Sequence, residues 1–241
     1  MLSFFRKKKT LTTCCIVPAA GLGTRMGALG GHGKQLLTIA GLPMIVHTLQ
    51  ALEQAETIAE VVVVTREEDI PEIGRLVSQY GLCKTKQIVT GGASRMESVA
   101  RGLAALPPCD YVAIHDGARP LCPPAHIDQI VRAAHTFGAA VPGLPVRDSV
   151  KTRLGLLVKE DVNRDTLVTV QTPQVFPTEE YDAVLAYALD KKLQVTDDAA
   201  VYAILQKPIH IVEGLRRNLK VTTPEDLPLA EFYLETEEEQ R

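Results

Sequence analysis

Four consecutive valines, Val61-Val62-Val63-Val64, leave little choice of architecture. A β-branched run without a polar face suits a strand covered on both sides, and such strands belong to parallel sheets packed between helices. The rest of the chain keeps to that arrangement. Leu11 to Val17, Glu60 to Thr65, Lys86 to Thr90 and Tyr111 to His115 read as strands, and segments near Ala139 to Val146 and His210 to Val212 add two more. Between them Pro43 to Ala55, Ile70 to Tyr80 and Pro124 to Phe137 carry apolar helical faces. Ser94-Arg95-Met96-Glu97 matches the S-x-x-E capping box, and Thr223-Pro224-Glu225-Asp226 places a cap before a first-turn proline. This alternation predicts an α/β fold with a mostly parallel central sheet covered on both faces. Because 46% of the 241 residues are hydrophobic and no Pro/Gly/Ser-rich linker divides them, one domain over 1–241 is expected.

The stretch from Asp148 to Thr169 breaks the pattern. It is polar and charged with β-branched residues at its ends, and reads as a hairpin arm leaving the globule. Such an arm usually needs a partner to cover it. Composition then excludes several function classes. A formal charge of −3 gives no overall reason to expect nucleic acid binding. Five cysteines without CxxC spacing argue against a disulfide framework and a structural zinc site, and fit a reducing compartment; Cys14 and Cys15 read as small core residues. The six histidines lack H-x-x-x-H spacing, and His47 and His126 fall on expected helices as surface or packing residues. No apolar run approaches the roughly 20 residues that span a bilayer. The basic cluster Arg6 to Lys9 follows too short an apolar start for a signal peptide, so it and the acidic Glu235 to Glu239 read as solvated ends of a soluble, cytoplasmic protein.

Chemistry enters after the first strand, at Val17-Pro18-Ala19-Ala20-Gly21-Leu22-Gly23-Thr24-Arg25-Met26-Gly27, which leads through a glycine-rich loop to Lys34-Gln35. Glycines there let backbone N–H groups approach phosphates. The Walker pattern fails, because Ala28 stands at its first glycine and Gln35 at its hydroxyl position. The dinucleotide pattern fails at Met26, which argues against a nicotinamide-dependent dehydrogenase. What remains is a loop with two cations, Arg25 and Lys34, and no Asp or Glu precedes Glu53 to neutralise them. Charge stabilisation is what transfer from a nucleoside triphosphate requires. The alternative, a surface loop with two incidental bases, has position, glycines and charge against it.

A second constellation, His115-Asp116-Gly117-Ala118-Arg119-Pro120, follows the fourth strand and should face the same crevice. Asp116 could help hold Mg²⁺ or a ribose hydroxyl and Arg119 a phosphate, although an ordinary acidic turn would read alike. Gly91-Gly92-Ala93-Ser94 ends the third strand, where two glycines permit close approach of a flat base. Asp148, Ser149, Lys151, Arg164, Gln171 to Gln174, Thr196 to Asp198 and Lys220 suit a second anionic substrate, though each alone also reads as surface.

These residues make the sequence recognisable. From about Thr13 to Leu234 it closely resembles the 2-C-methyl-D-erythritol 4-phosphate cytidylyltransferases of the non-mevalonate isoprenoid pathway, on PAAGLGTRMG, GKQ, HDGARP, PVRDSVK, QTPQVF, TDDAA, VEG and NLKVTTPEDL together. The resemblance implies a three-layer, Rossmann-like nucleotidyltransferase: a nucleotide-binding half 11–146, a dimerisation arm 147–170, an acceptor-binding half 171–234, and tails 1–10 and 235–241. It implies that Arg25 and Lys34 stabilise the transition state of transfer from CTP. Pro18, Ala19, Ala20, Gly21, Gly23 and Thr24, with Gly91, Gly92, Ser98, Asp116 and Gly117, would form the nucleotide site. Asp116 and Arg119 would lie between nucleotide and acceptor. Ser149, Lys151, Arg164, Thr172, Thr196 and Lys220 would hold methylerythritol phosphate, with Arg164 and Lys220 aiming its phosphate and counted among the catalytic cations. Mg²⁺ or another divalent cation is implied, with Asp116 its one candidate ligand, and so is a homodimer whose arm reaches the partner's site. Ala93 departs from the acidic residue, Ser149 from the threonine and Asn163 from the aspartate that some members carry. A ribitol 5-phosphate cytidylyltransferase and an inactive CTP-binding protein are the competing readings.

Overall fold

The valine run lies at the centre of the fold. The computed structural model describes residues 10–21, 23–26 and 33–238; Arg6 to Lys9, Leu22, Gly27 to His32 and Glu239 lie outside them. In chain order the strands are β1 (Thr13–Pro18), β2 (Thr38–Ile39), β3 (Leu42–Pro43), β4 (Ile58–Thr65), β5 (Thr85–Thr90) and β6 (Tyr111–Ile114). β7 (Ala140–Pro145), β8 (Val150–Leu154), β9 (Leu157–Val162), β10 (Val168–Val170), β11 (Gln174–Pro177) and β12 (His210–Glu213) follow. The helices are α1 (Met44–Gln54), α2 (Ile70–Gln79), α3 (Arg95–Ala105), α4 (Pro124–Phe137), α5 (Thr178–Asp190), α6 (Asp198–Tyr202) and α7 (Asp226–Glu238).

Neighbours in the main sheet run β7–β11–β6–β1–β4–β5, with β10 and β12 also pairing β7. β6, β1, β4 and β5 are mutually parallel, as is β12 with β7; β11 is antiparallel to both its neighbours. The mostly parallel expectation holds, with two antiparallel strands that the sequence did not mark, β11 inserted between β6 and β7 and β10 beside β7. Alternate residues feed opposite layers. Cys15, Val17, Val61 and Val63 pack against α1, α2 and α4, whereas Ile16, Val62 and Val64 pack against α3, α5 and α6. Each buried valine contributes about 1.5–3 kcal/mol. A third cluster, Ile39, Met44, Ala118, Leu121 and Val221, holds α7 through Ala230.

Three boundaries need correction. The regular helix α7 begins at Asp226, not just after Thr223; the Asp226 carboxylate reaches back to accept the N–H groups of Thr222 and Thr223. The acidic end expected to be a solvated tail continues that helix to Glu238. In the arm, β8 and β9 form the hairpin, but Val168–Val170 rejoins the main sheet against β7. The hairpin exposes Leu154, Leu156, Leu157 and Val158, with Leu156 fully bare. Cys14 and Cys15 are core residues, and all five cysteines are free thiols. His126 is buried, and His47 reaches the Ile39 carbonyl at 2.8 Å. Among the described residues no helix is long and apolar enough to cross a membrane.

Candidate active site

The chain leaves β1 with the Ala19 N–H donating to the Val64 carbonyl (2.6 Å), and leaves β5 with the Gly91 N–H donating to Thr65 (2.7 Å). These bonds splay the loops over the carboxyl ends of the parallel strands, where open α/β sheets bind ligands. The cleft so formed holds about 780 Å³. Its walls include the expected Pro18, Ala20, Gly21, Gly23, Thr24, Arg25 and Lys34 from the first loop. Gly91, Gly92, Ser98, Asp116 and Lys220 complete the lining.

Lys34 opens a short 3₁₀ turn after Gly33, whose φ of 77° suits glycine. A Cβ on Gly23 would come within 3.0 Å of the Lys34 Cβ, so the small residue makes room for the lysine. The ammonium is nearly enclosed and donates to the Val221 carbonyl at 3.0 Å. Burial, then repulsion by Lys220 and Arg25, pull its pKa down to about 8, although Asp116 opposes them. Cations pressed together in this way are relieved by a polyanion.

Asp116 gathers the remaining cations. It is 7% exposed and meets Lys220 at 2.8 Å, Arg95 at 3.4 Å and Arg119 at 3.8 Å. Burial pushes its pKa up, but Lys220, Arg95 and Arg119 together hold it well below the usual carboxylate range. Arg95 also binds the buried Asp198 at 2.6 Å, and Asp198 accepts the Tyr181 hydroxyl at 2.6 Å. The sequence reading used Arg95 only as part of a cap. Its signal was a cation in the first turn of a helix, where the macrodipole disfavours it. Arg66, Glu68, Thr65, Gln35 and Thr222 also line the cleft without having been assigned a role.

Beneath this wall lies a buried polar network. The Thr172 hydroxyl accepts the Asp116 N–H at 3.0 Å and pairs with His115 Nδ1 at 3.0 Å. Burial drives His115 down to about 4, so the ring is neutral at pH 7. Asn218 donates to the Thr172 carbonyl (2.9 Å), and its own carbonyl accepts from Gln171 (3.1 Å) and Arg119 (2.7 Å). Gln174 receives the Ala199 N–H and donates to Asp197, which caps α6. QTPQ and NLK are thus one scaffold under Asp116 and Lys220.

Other expected residues fall elsewhere. Ala19 is core, and Gly117 packs beneath the loop, where a Cβ would sit 3.1 Å from Ile45. Arg119 and Thr172 lie under the cleft rather than in its lining. Thr196 is exposed outside it, as are Ser149, Lys151 and Arg164 at the arm; Lys151 pairs with Asp161, and the Arg164 guanidinium donates to the Arg147 carbonyl. The two glycines expected to admit a base do line the cleft, and the chain itself packs against the side where a Cβ would stand. A Cβ on Gly91 would meet Ala20 at 2.5 Å, and one on Gly92 would meet Glu97 at 2.3 Å. For a metal, the described residues offer no group of three His, Cys, Asp or Glu side chains, and Asp116 is already surrounded by cations. That donor set fits only a cation whose ligands are mainly phosphate oxygens.

A glycine-bearing loop after the first strand, crowded cations and one shielded carboxylate, all above a mostly parallel sheet, define a nucleotidyltransferase of the α/β class. The chain belongs to the 2-C-methyl-D-erythritol 4-phosphate cytidylyltransferase family, whose model matches residues 13–236. It is 41% identical over 223 residues to a protein of that name from Halalkalibacterium halodurans, covering 92% of this chain and 97% of the other. The Thermus thermophilus enzyme of the same name has a crystal structure 33% identical to it with a TM-score of 0.74, over 91% of this chain and 98% of that one. The 4-diphosphocytidyl-2C-methyl-D-erythritol synthase of Anaerococcus prevotii superposes with a TM-score of 0.81 at 27% identity, covering 93% and 96%.

Proposed function

We infer that the chain transfers a cytidylyl group from CTP to 2-C-methyl-D-erythritol 4-phosphate, giving 4-diphosphocytidyl-2-C-methyl-D-erythritol and pyrophosphate. Family membership supports the substrates, and the observation that carries the chemistry is the crowding of the partly desolvated Lys34 cation beside Lys220 and Asp116 in one cleft. A phosphate monoester has its second pKa near ~6, so the acceptor is already dianionic at pH 7 and needs no general base. The neutral, enclosed His115 accordingly has no proton to take and serves the scaffold.

Arg25 and Lys34 stabilise charge as it builds on the α-phosphoryl group, and the first-loop glycines offer backbone N–H groups to the triphosphate. Lys220 orients the acceptor phosphate, and Asp116 fixes Lys220 while Arg95 fixes Asp116. A divalent cation such as Mg²⁺ would ride on the triphosphate, with Asp116 the carboxylate at hand, and would ease departure of pyrophosphate. Ser149, Lys151 and Arg164 act across a homodimer, in the partner's cleft, which accounts for the bare leucines of the hairpin. Free thiols suit the cytoplasm.

The test is pyrophosphate release from CTP and Mg²⁺ with methylerythritol phosphate and ribitol 5-phosphate as separate acceptors. Release with the first alone is expected. Release with the second alone would keep the chemistry and change the acceptor; release with neither, despite CTP binding, would make the chain a binding protein.

A further inference from the structure

We propose that the Arg66–Asp69 ion pair is the seat on which the Gly33–Lys34 turn lies, making both of them positioning residues for the Lys34 ammonium. This rests on the cytidylyl-transfer reading, in which Lys34 acts on the α-phosphoryl group, and it adds two residues to which that reading gives no role.

β4 ends at Thr65, and the chain passes at once through Arg66 and a short 3₁₀ turn, Glu67–Asp69, into α2. Arg66 clasps Asp69 with two bonds, Nε to Oδ2 at 2.8 Å and Nη2 to Oδ1 at 3.0 Å, while the Asp69 N–H donates to the Arg66 carbonyl at 3.1 Å. Such a fork fixes direction as well as charge. The remaining guanidinium nitrogen, Nη1, meets Glu68 at 3.0 Å. Asp69 is buried, and the turn is tied to the fold at both ends. Thr65 pairs with Thr90 in the sheet, and Ile73 and Leu76 of α2 belong to the core.

Gly33 lies directly against this pair. A Cβ there would stand 2.6 Å from Asp69 Oδ2 and 2.9 Å from Arg66 Nη2, so the ion pair occupies the side where a side chain would be. Gly33 is buried, its carbonyl accepts the Leu36 N–H at 2.9 Å, and Lys34 is the next residue of the chain. Lys34 is thus held twice, at its root through Gly33 and at its ammonium by the Val221 carbonyl at 3.0 Å. A flexible lysine stem held only at its tip would let the ammonium drift. A displacement of about 1 Å at a reacting centre can cost about 10² in rate. Arg66 also lines the cleft, so a direct contact with the triphosphate is the rival account.

The experiment measures kcat with CTP and methylerythritol phosphate in wild type, Arg66→Ala, Asp69→Ala and the double variant, each also in the Lys34→Ala background. Thermal unfolding checks the fold. The double variant leaves neither charge unpaired, so it keeps the test readable should a single variant unfold. Both single variants are expected to lose about 10–10² in kcat, although they change the local charge in opposite senses. The double variant should lose no more than the larger single loss. On the Lys34→Ala background none should lose more than about threefold, because all act through that ammonium. Loss in Arg66→Ala with Asp69→Ala spared would assign Arg66 to the triphosphate and overturn the proposal. Full loss persisting without Lys34 would overturn it too.

A second readout needs no turnover: acylation of Lys34 by an N-hydroxysuccinimide ester, read by peptide mass spectrometry against the exposed Lys191. Labelling of Lys34 should rise several-fold in the double variant as the ammonium leaves its enclosure, and unchanged labelling would sink the proposal. Failure of the parent reading looks different: wild type itself would release no pyrophosphate from CTP, and the labelling would still decide whether the pair seats Lys34.

Discussion

At the wall of the cleft, Asp116 is almost sealed from water and touches three cations drawn from α3, the loop after β6 and the loop after β12. On the arm, Lys151 and Asp161 face each other across a hairpin in open solvent. The first arrangement is enforced by the sheet and its buried network, so its charges are fixed before any ligand arrives. The second is held by nothing but its own ladder, and solvent screens its charges. Burial decides which charges can do chemistry within one chain. The cleft is organised internally, whereas the arm leaves its polar groups and leucines in solvent, which is why the proposed function gives it a second copy to meet.

The largest effect expected from breaking the cleft side is at Lys34. Lys34→Ala should lower kcat by about 10²–10³, the usual cost of losing one transition-state charge contact. Folding should survive, because the change removes a cation that burial already disfavours. Thermal unfolding and CTP binding check the fold, and wild-type-like turnover would remove Lys34 from the mechanism.

The arm is tested by complementation. Arg164→Ala should lose about 10–10² in turnover if its guanidinium serves a partner's cleft. Mixed with Lys34→Ala protein and allowed to re-equilibrate, it should regain activity, because one site of each mixed dimer receives an intact Lys34 and an intact Arg164. Random pairing in a twofold dimer allows about a quarter of wild-type activity. No recovery, with mixed dimers demonstrated, would confine Arg164 to its own chain. Leu157→Asp should disperse the dimer in sedimentation, because it places a charge in the proposed contact.

A smaller change sharpens the electrostatics. With Lys34 pulled down to about 8, kcat/KM for CTP should fall above that pH, approaching tenfold per unit, as the free protein loses the cation. Bound triphosphate favours the charged form, so the limb of kcat should lie higher. Lys34→Arg should remove the limb, and its persistence would assign it to another group.

How much of this could be read from one sequence follows the same division. β4 was legible because four valines admit one environment, and Pro124–Phe137 because its apolar spacing runs over 14 residues. β11 was not, since it is four residues long and its buried glutamine joins a network that resembles surface composition. α5 was overlooked beside it. In the cleft, Arg25, Lys34 and Asp116 stood out as charges beside glycines. Arg95 did not, because its partner Asp198 is 103 positions away and only the fold brings them together. Ser149, Lys151 and Arg164 stood out only as hydroxyl and basic residues suited to a second anion, resemblance alone gave them an acceptor, and nothing in their own surroundings assigns them a ligand.

The smallest effect is one of stability, and it sets the cleft's scaffold against the arm. His115 is wholly buried with its pKa lowered from 6.5 to about 4. Between those values the unfolded chain binds a proton that the folded chain refuses, so stability must fall as pH drops from about 6.5 toward 4. The lost stability can reach about 3 kcal/mol, as an order of magnitude for a shift of that size. Denaturant unfolding at pH 7, 6 and 5 should therefore show a steeper acid loss in wild type than in His115→Gln, which has no proton to bind. Asp161, held low by its bond to Lys151, shifts in the sense that would also cost stability on acidification. It is fully exposed, however, and Asp161→Asn should leave the acid profile as it is. Parallel profiles for wild type and His115→Gln would mean that the ring accepts a proton where it sits, and the contrast between a sealed scaffold and a solvated arm would fail at its most enclosed residue.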